Sequence, residues 1–122
     1  MDESLPAFIL ECEFTEPGVS APRTCHLLTR ISAPDRDDYW LAQVDPPFPG
    51  LYFGEDDVIS KVIIATKAEG QTLFDRHRDY IPVYIARILD EAVIAESKML
   101  PDQLEVMLWC LARPTSGATV IR

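Results

Sequence analysis

Residues 8–14 (FILECEF) and 25–31 (CHLLTRI) carry the clearest structural signal in the chain, because their side chains fall into two alternating sets. Alternation with a period of two is typical of a strand with one buried face. The segment between them, residues 16–22 (EPGVSAP), is rich in turn-forming residues. Two alternating segments around such a turn predict an antiparallel β-hairpin.

The expected register of this hairpin predicts which positions two of the cysteines occupy. A turn centred near Val19 pairs positions whose numbers sum to about 37, which sets Cys12 opposite Cys25. Both lie on the apolar face of their own strand, so we expect them to be buried neighbours without a bond between them. With Cys110 the count is odd, and no Cys-x-x-Cys spacing occurs, which argues against a disulfide framework or a zinc knuckle. We expect three buried thiols in a reducing cytoplasm.

Three further segments have strand character: residues 39–44 (YWLAQV), 58–67 (VISKVIIATK) and 80–89 (YIPVYIARIL). They are rich in β-branched and aromatic residues, which favour strands. Pro82 suggests an edge position or a bulge near the start of the last one. Together with the hairpin, these segments predict about five antiparallel strands.

The last third of the chain is ambiguous between helix and strand. Residues 88–99 contain an apolar stripe at helical spacing, yet part of them would also continue a strand. Residues 101–103 (PDQ) favour a helix start, with proline at the first helical position and an acid in the first turn. We therefore predict a helix over residues 101–111, although alternate apolar residues from Leu104 to Cys110 would also line one face of a strand. Residues 115–122 are expected to form a loose tail.

The predicted fold is α+β: a single domain over residues 1–122, mainly an antiparallel β-sheet of about five strands, with one or two C-terminal helices. We expect neither a membrane span nor a cleaved export signal, because the longest apolar segments are short and the N-terminus is acidic. The predicted location is the cytoplasm.

Charge is distributed unevenly along the chain, whose net charge is −9. Residues 1–57 contain twelve acidic residues and three Lys or Arg, whereas the rest of the chain is balanced. A negative surface argues against nucleic-acid binding, which needs positive charge to displace counterions from phosphates. It is compatible with a basic protein partner, and equally with a role in solubility alone.

The sequence does not predict catalytic chemistry. His77 lies in a charged turn without an activated nucleophile, and adjacent strand residues such as Cys25 and His26 point to opposite faces. The acidic segments 35–38 and 55–57 lack the spacing of a calcium loop. No glycine-rich phosphate loop occurs. We predict no catalytic residue, no metal site and no cofactor.

Residues 45–57 (DPPFPGLYFGEDD) form the most unusual segment, because prolines and aromatic residues are concentrated in it. Aromatic side chains on a stiff backbone make good contact residues, and the acids at its end resemble the charged rim of an interface. The candidate binding residues are Phe48, Leu51, Tyr52, Phe53, Asp56 and Asp57. The alternative is an ordered loop that folds onto its own core.

The sequence therefore favours a small acidic, non-catalytic binding or regulatory protein that acts through surface contacts. The roles we consider are a partner-blocking protein of the inhibitor or immunity kind and a subunit of a homo-oligomer, with a protein partner or a second copy as its target. The alternative is a small-ligand-binding protein or enzyme with a pocket under residues 45–57.

Overall fold

The computed structural model describes residues 7–12, 22–35, 38–49, 58–67, 73 and 80–114. In these ranges the chain is almost entirely β-structure, with one short α-helix and one 3-10 turn. The elements in chain order are β1 (Ala7–Cys12), β2 (Arg23–Ile31), β3 (Tyr39–Phe48), β4 (Ile59–Thr66), β5 (Ile81–Ile88), α1 (Ala92–Glu96), the 3-10 turn (Pro101–Gln103) and β6 (Leu104–Pro114).

The six described strands form a closed antiparallel barrel in which each strand pairs with the next in sequence. β6 then pairs with β1, with Phe8 opposite Pro114 and Leu10 opposite Ala112, and this pairing closes the barrel. Closure leaves no strand with an unpaired edge along these pairings. The connection order is the simplest one for a barrel, because every neighbour in the sheet is also a neighbour in sequence.

Irregularities in the pairing bend the strands. The register shifts between Leu27 and Thr29 in β2, between Gln43 and Phe48 in β3, and between Ile85 and Ala86 in β5. An extra residue on one strand increases local twist and curvature. A barrel of only six strands needs strong curvature, so these shifts accompany its closure.

Alternate side chains from all six strands fill the barrel interior, and Leu73 from the β4–β5 connection joins them. In a barrel this small the interior is packed by side chains and is not a channel. The interior cluster consists of Phe8, Leu10, Cys25, Leu27, Ala42, Val44, Phe48, Val62, Ile64, Leu73, Ile81, Val83, Ile85, Leu108, Cys110 and Ala112.

A second apolar cluster lies on the outer faces of β2, β3, β4 and β5. The segment between β5 and β6 covers it with Val93 and Met99. This segment also reaches the end of β2, where the amide of Met99 donates to the carbonyl of Ser32 at 2.8 Å. β4 is therefore buried on both faces, which explains its continuous apolar run from Val62 to Ala65.

The predicted α+β class is wrong, and the error comes from the C-terminal region. The apolar stripe of residues 88–99 does contain a helix, but α1 is only five residues long. The predicted helix over residues 101–111 forms just one 3-10 turn at its start, followed by the eleven-residue strand β6. β6 forms backbone hydrogen bonds with both β5 and β1. These long-range pairings outweigh the local helix-start signal.

Two further predictions need correction. The third strand continues beyond residue 44 and includes Asp45–Phe48, which were predicted to belong to a loop. The hairpin of β1 and β2 is confirmed, but its register pairs Phe8 with Cys25, so the positions sum to 33 and not to 37. Cys12 lies opposite Cys110 instead.

The strands predicted over residues 58–67 and 80–89 are confirmed as β4 and β5. The predicted tail over residues 115–122 lies outside the described residues. No helix within the described ranges is long and apolar enough to cross a membrane.

Candidate functional site

Arg23 holds the end of β3, at the base of the proline-rich segment. Its side chain is buried, its Nε donates to the carbonyl of Pro46 at 3.0 Å, and its Nη2 lies 3.4 Å from the carbonyl of Pro47. The guanidinium carbon lies 4.3 Å from the ring centroid of Phe48. Prolines lack the N–H that a ladder needs but keep their carbonyl acceptors. Arg23 supplies donors to those carbonyls and so holds the end of β3 in place.

Of the binding residues predicted from sequence, the structure describes only Phe48. Its side chain has no solvent exposure and belongs to the interior cluster. Leu51, Tyr52, Phe53, Asp56 and Asp57 lie outside the described residues. A contact role for this segment stays a prediction.

A row of aromatic side chains crosses the outside of the barrel. Tyr84 on β5 lies opposite Trp109 on β6, and their rings meet edge to face with centroids 5.5 Å apart and planes at 77°. On its other side Tyr84 lies opposite Ala65 and is hydrogen-bonded to Tyr39 of β3. The small side chain of Ala65 separates the two tyrosines and lets their hydroxyls meet. The row is thus held by strand pairing and by its own contacts.

The Tyr39 hydroxyl lies at the buried end of this row. It donates to Oδ2 of Asp35 at 2.7 Å. Burial is the main cause that raises the pKa of Tyr39 well above its usual range, and the hydrogen bonds to Tyr84 and Asp35 raise it further. Each of these bonds favours the protonated phenol. The Tyr39 phenol therefore stays protonated at a higher pH than an unperturbed tyrosine does.

Trp109 is the exposed end of the row, with 42% of its surface accessible. Beside it on β6 lie the exposed Val106 and the half-buried Leu111. We call Tyr84, Val106, Trp109 and Leu111 the β6 patch. Because tryptophan has the largest apolar surface of any side chain, its exposure on a sheet face is more informative than that of a single Leu or Val.

Charged groups border the β6 patch. The ammonium of Lys67, at the end of β4, lies 5.2 Å from the Trp109 ring centroid, within cation–π range. Glu11 of β1 lies opposite Leu111 and forms an ion pair with Arg113 at 3.3 Å. An apolar centre with a charged border is the usual anatomy of a protein interface.

The described residues offer little for catalysis. His26 is exposed on β2 and lies opposite Ala7 and Gln43, neither of which is a nucleophile. Burial raises the pKa of the Cys25 thiol to about 12, which suppresses its nucleophilic form. Among the side chains that the structure describes, no three of His, Cys, Asp or Glu cluster as metal ligands.

No protein-family model, curated protein or solved structure matches this chain.

Sequence reasoning missed the β6 patch because it assigned Trp109 to a helix. The strand alternative for residues 104–110 places Leu108 and Cys110 on one face and Trp109 on the other. Had that alternative been followed, Trp109 would have stood out as a large aromatic residue on a solvent-facing position.

Proposed function

We propose that this protein is a non-catalytic binding or regulatory protein that contacts another protein, or a second copy of itself, through the β6 patch. The observation that carries the proposal is the half-exposed Trp109, held against Tyr84 and under Lys67 on the outside of a closed barrel. Rigid aromatic side chains bind at low entropic cost, and tryptophan is enriched among residues that dominate interface energies.

The packing of the barrel supports a role for its surface. Buried side chains from all six described strands form the interior cluster, and the fully buried Phe48 belongs to it. The alternative of a small-ligand pocket under residues 45–57 gains no support from the described residues. The aromatic residues at 52 and 53 remain a proposed second contact region.

Substitution of Trp109 tests the proposal. Trp109→Ser should weaken association at least tenfold, because truncation of a central interface tryptophan costs about 2 kcal/mol or more. Binding is measured by quantitative affinity capture from source cells and by light scattering of the purified protein. The folded state of each variant is checked by its melting temperature.

Leu28→Ser is the matched control. Leu28 has 41% of its surface exposed, nearly the same as Trp109, but lies on β2, which β1 separates from β6. Leu28→Ser should leave association unchanged. Equal captured partners and equal molar mass for wild type, Trp109→Ser and Leu28→Ser would overturn the assignment of the contact surface.

A further inference from the structure

The first and last strands of the barrel place two cysteines directly opposite each other. Cys12 and Cys110 are Cα partners in the antiparallel pairing of β1 with β6. Opposite residues in such a pair have Cα atoms about 4.5–5.5 Å apart, and disulfides join Cα atoms about 4.4–6.8 Å apart. Opposite residues also share a face of the sheet. The backbone is thus already in position for a cross-strand bond.

The third cysteine occupies a different position. Cys25 has Phe8 and Val44 as its Cα partners on the two sides. Of the three possible pairings among the cysteines, strand register therefore selects only one. The raised pKa of Cys25 also keeps its thiol in the unreactive form.

We infer that Cys12 and Cys110 form a cross-strand disulfide under oxidising conditions, joining the first strand of the barrel to the last. The bond spans the β1–β6 seam, the one pairing between strands at opposite ends of the sequence. It closes a loop of roughly a hundred residues, and long loops are those in which a cross-link restricts the unfolded chain most.

Thiol–disulfide exchange with a small disulfide such as oxidised glutathione makes the bond. One cysteine thiolate attacks a sulfur of oxidised glutathione and releases a glutathione thiolate. The second cysteine thiolate then displaces the attached glutathione. The two cysteines lose two protons and two electrons, and oxidised glutathione gains both as two molecules of reduced glutathione. Because Cys110 is buried, exchange takes place during folding or when the end of β1 separates from β6.

Refolding in oxidised glutathione tests the inference. When the refolded monomer is denatured without a reductant, we expect it to contain one alkylatable cysteine of its three, and non-reducing peptide mapping to join Cys12 to Cys110. The melting temperature of the oxidised protein should exceed that of the reduced protein by at least about 5 °C, because a long-loop disulfide is strongly stabilising in a small domain.

The matched control is Cys25→Ala, which should form the same bond with the same gain in melting temperature. Cys12→Ala and Cys110→Ala should show no gain. Three alkylatable cysteines after oxidative refolding, a bond that includes Cys25, or a bond between two chains would each overturn the inference. The peptide map of the wild-type protein decides this even if a variant fails to fold.

Discussion

Arg23 shows how a charged side chain is accommodated at the end of an apolar barrel. Its surface is only 3% exposed, yet its guanidinium reaches the carbonyls of Pro46 and Pro47 and lies over the Phe48 ring. A buried charge is costly unless hydrogen bonds replace its water. Here the prolines create the need for a donor from outside the backbone, and the arginine meets it. The buried arginine and the two prolines are therefore explained by one another.

Arg23→Met should therefore destabilise the fold while preserving most of the side-chain volume. Without the guanidinium, the carbonyl oxygens of Pro46 and Pro47 lose the donors that Arg23 supplies. We expect the free energy of unfolding to fall by about 2 kcal/mol. Urea denaturation measures the change. Arg113→Met is the control: its ion pair with Glu11 is partly exposed, so its loss should cost at most about 1 kcal/mol. Equal effects of the two substitutions would contradict the role assigned to Arg23.

The β5–β6 connection contains the helix α1, which ends well before strand β6 begins. Helix α1 ends at Ser97, whose φ of 55° is left-handed and whose amide donates to the carbonyl of Val93 at 3.0 Å. This reversal sends the chain past Ser32 and on to the 3-10 turn before β6. The short helix contributes Val93 to the outer cluster.

Ser97→Gly should stabilise the protein. The left-handed conformation costs a non-glycine residue about 1–2 kcal/mol, and the greater chain entropy of glycine offsets about 0.5–1 kcal/mol of the gain. We expect the free energy of unfolding to rise by roughly 0.5–1 kcal/mol in chemical denaturation. Ser60→Gly, the same substitution inside strand β4, should lower it by about 0.5–1 kcal/mol. A loss of stability in Ser97→Gly would contradict this account.

At the scale of the whole molecule, folding buries Cys25 inside the barrel and Tyr39 in the outer cluster, and both groups are kept protonated there. Burial raises the pKa of Cys25 from 9.0 to about 12, and burial with two hydrogen bonds raises that of Tyr39. Above the pKa of the unfolded chain, the folded state then binds more protons than the unfolded state does. Stability from these groups is complete below that pKa and is lost as the pH rises toward the folded value.

Alkaline pH should accordingly weaken the fold in a way that depends on Cys25. Between pH 8.5 and 10 in the presence of a reductant, the free energy of unfolding of the wild type should fall by roughly 1 kcal/mol more than that of Cys25→Ala. Tyr39 contributes equally to both proteins and does not affect the difference. Urea titrations at the two pH values measure it. Parallel losses in the two proteins would show that the folded thiol ionises as readily as the unfolded one.

Some strands of the fold could be predicted from sequence, and others could not. Alternation in β1 and β2, and β-branched residues in β4, identified strands whose local preference agrees with their tertiary role. In β6 the two conflict, because Pro101–Gln103 has helix-start chemistry while β5 and β1 both need a partner strand. Pro101–Gln103 follow their local preference and form a 3-10 turn, whereas the next eleven residues form the strand that pairs with β5 and β1.

The candidate surface was beyond the reach of sequence for the same reason. Trp109 becomes a surface residue only when β6 is a strand with Leu108 and Cys110 directed into the barrel. Phe48, in contrast, was expected at a contact surface and lies in the interior, because β3 continues through the prolines with help from Arg23.

The amino-acid sequence by itself determined the β-rich, antiparallel character of the chain, since side-chain alternation and turn residues are local properties. Tertiary structure alone decided that the sheet closes, that β6 is a strand, and that Cys12 pairs in register with Cys110 and not with Cys25. The physical reason is that strand pairing satisfies backbone hydrogen bonds between residues far apart in sequence. A shift of a few residues in that pairing leaves every local pattern unchanged while it changes which side chains meet.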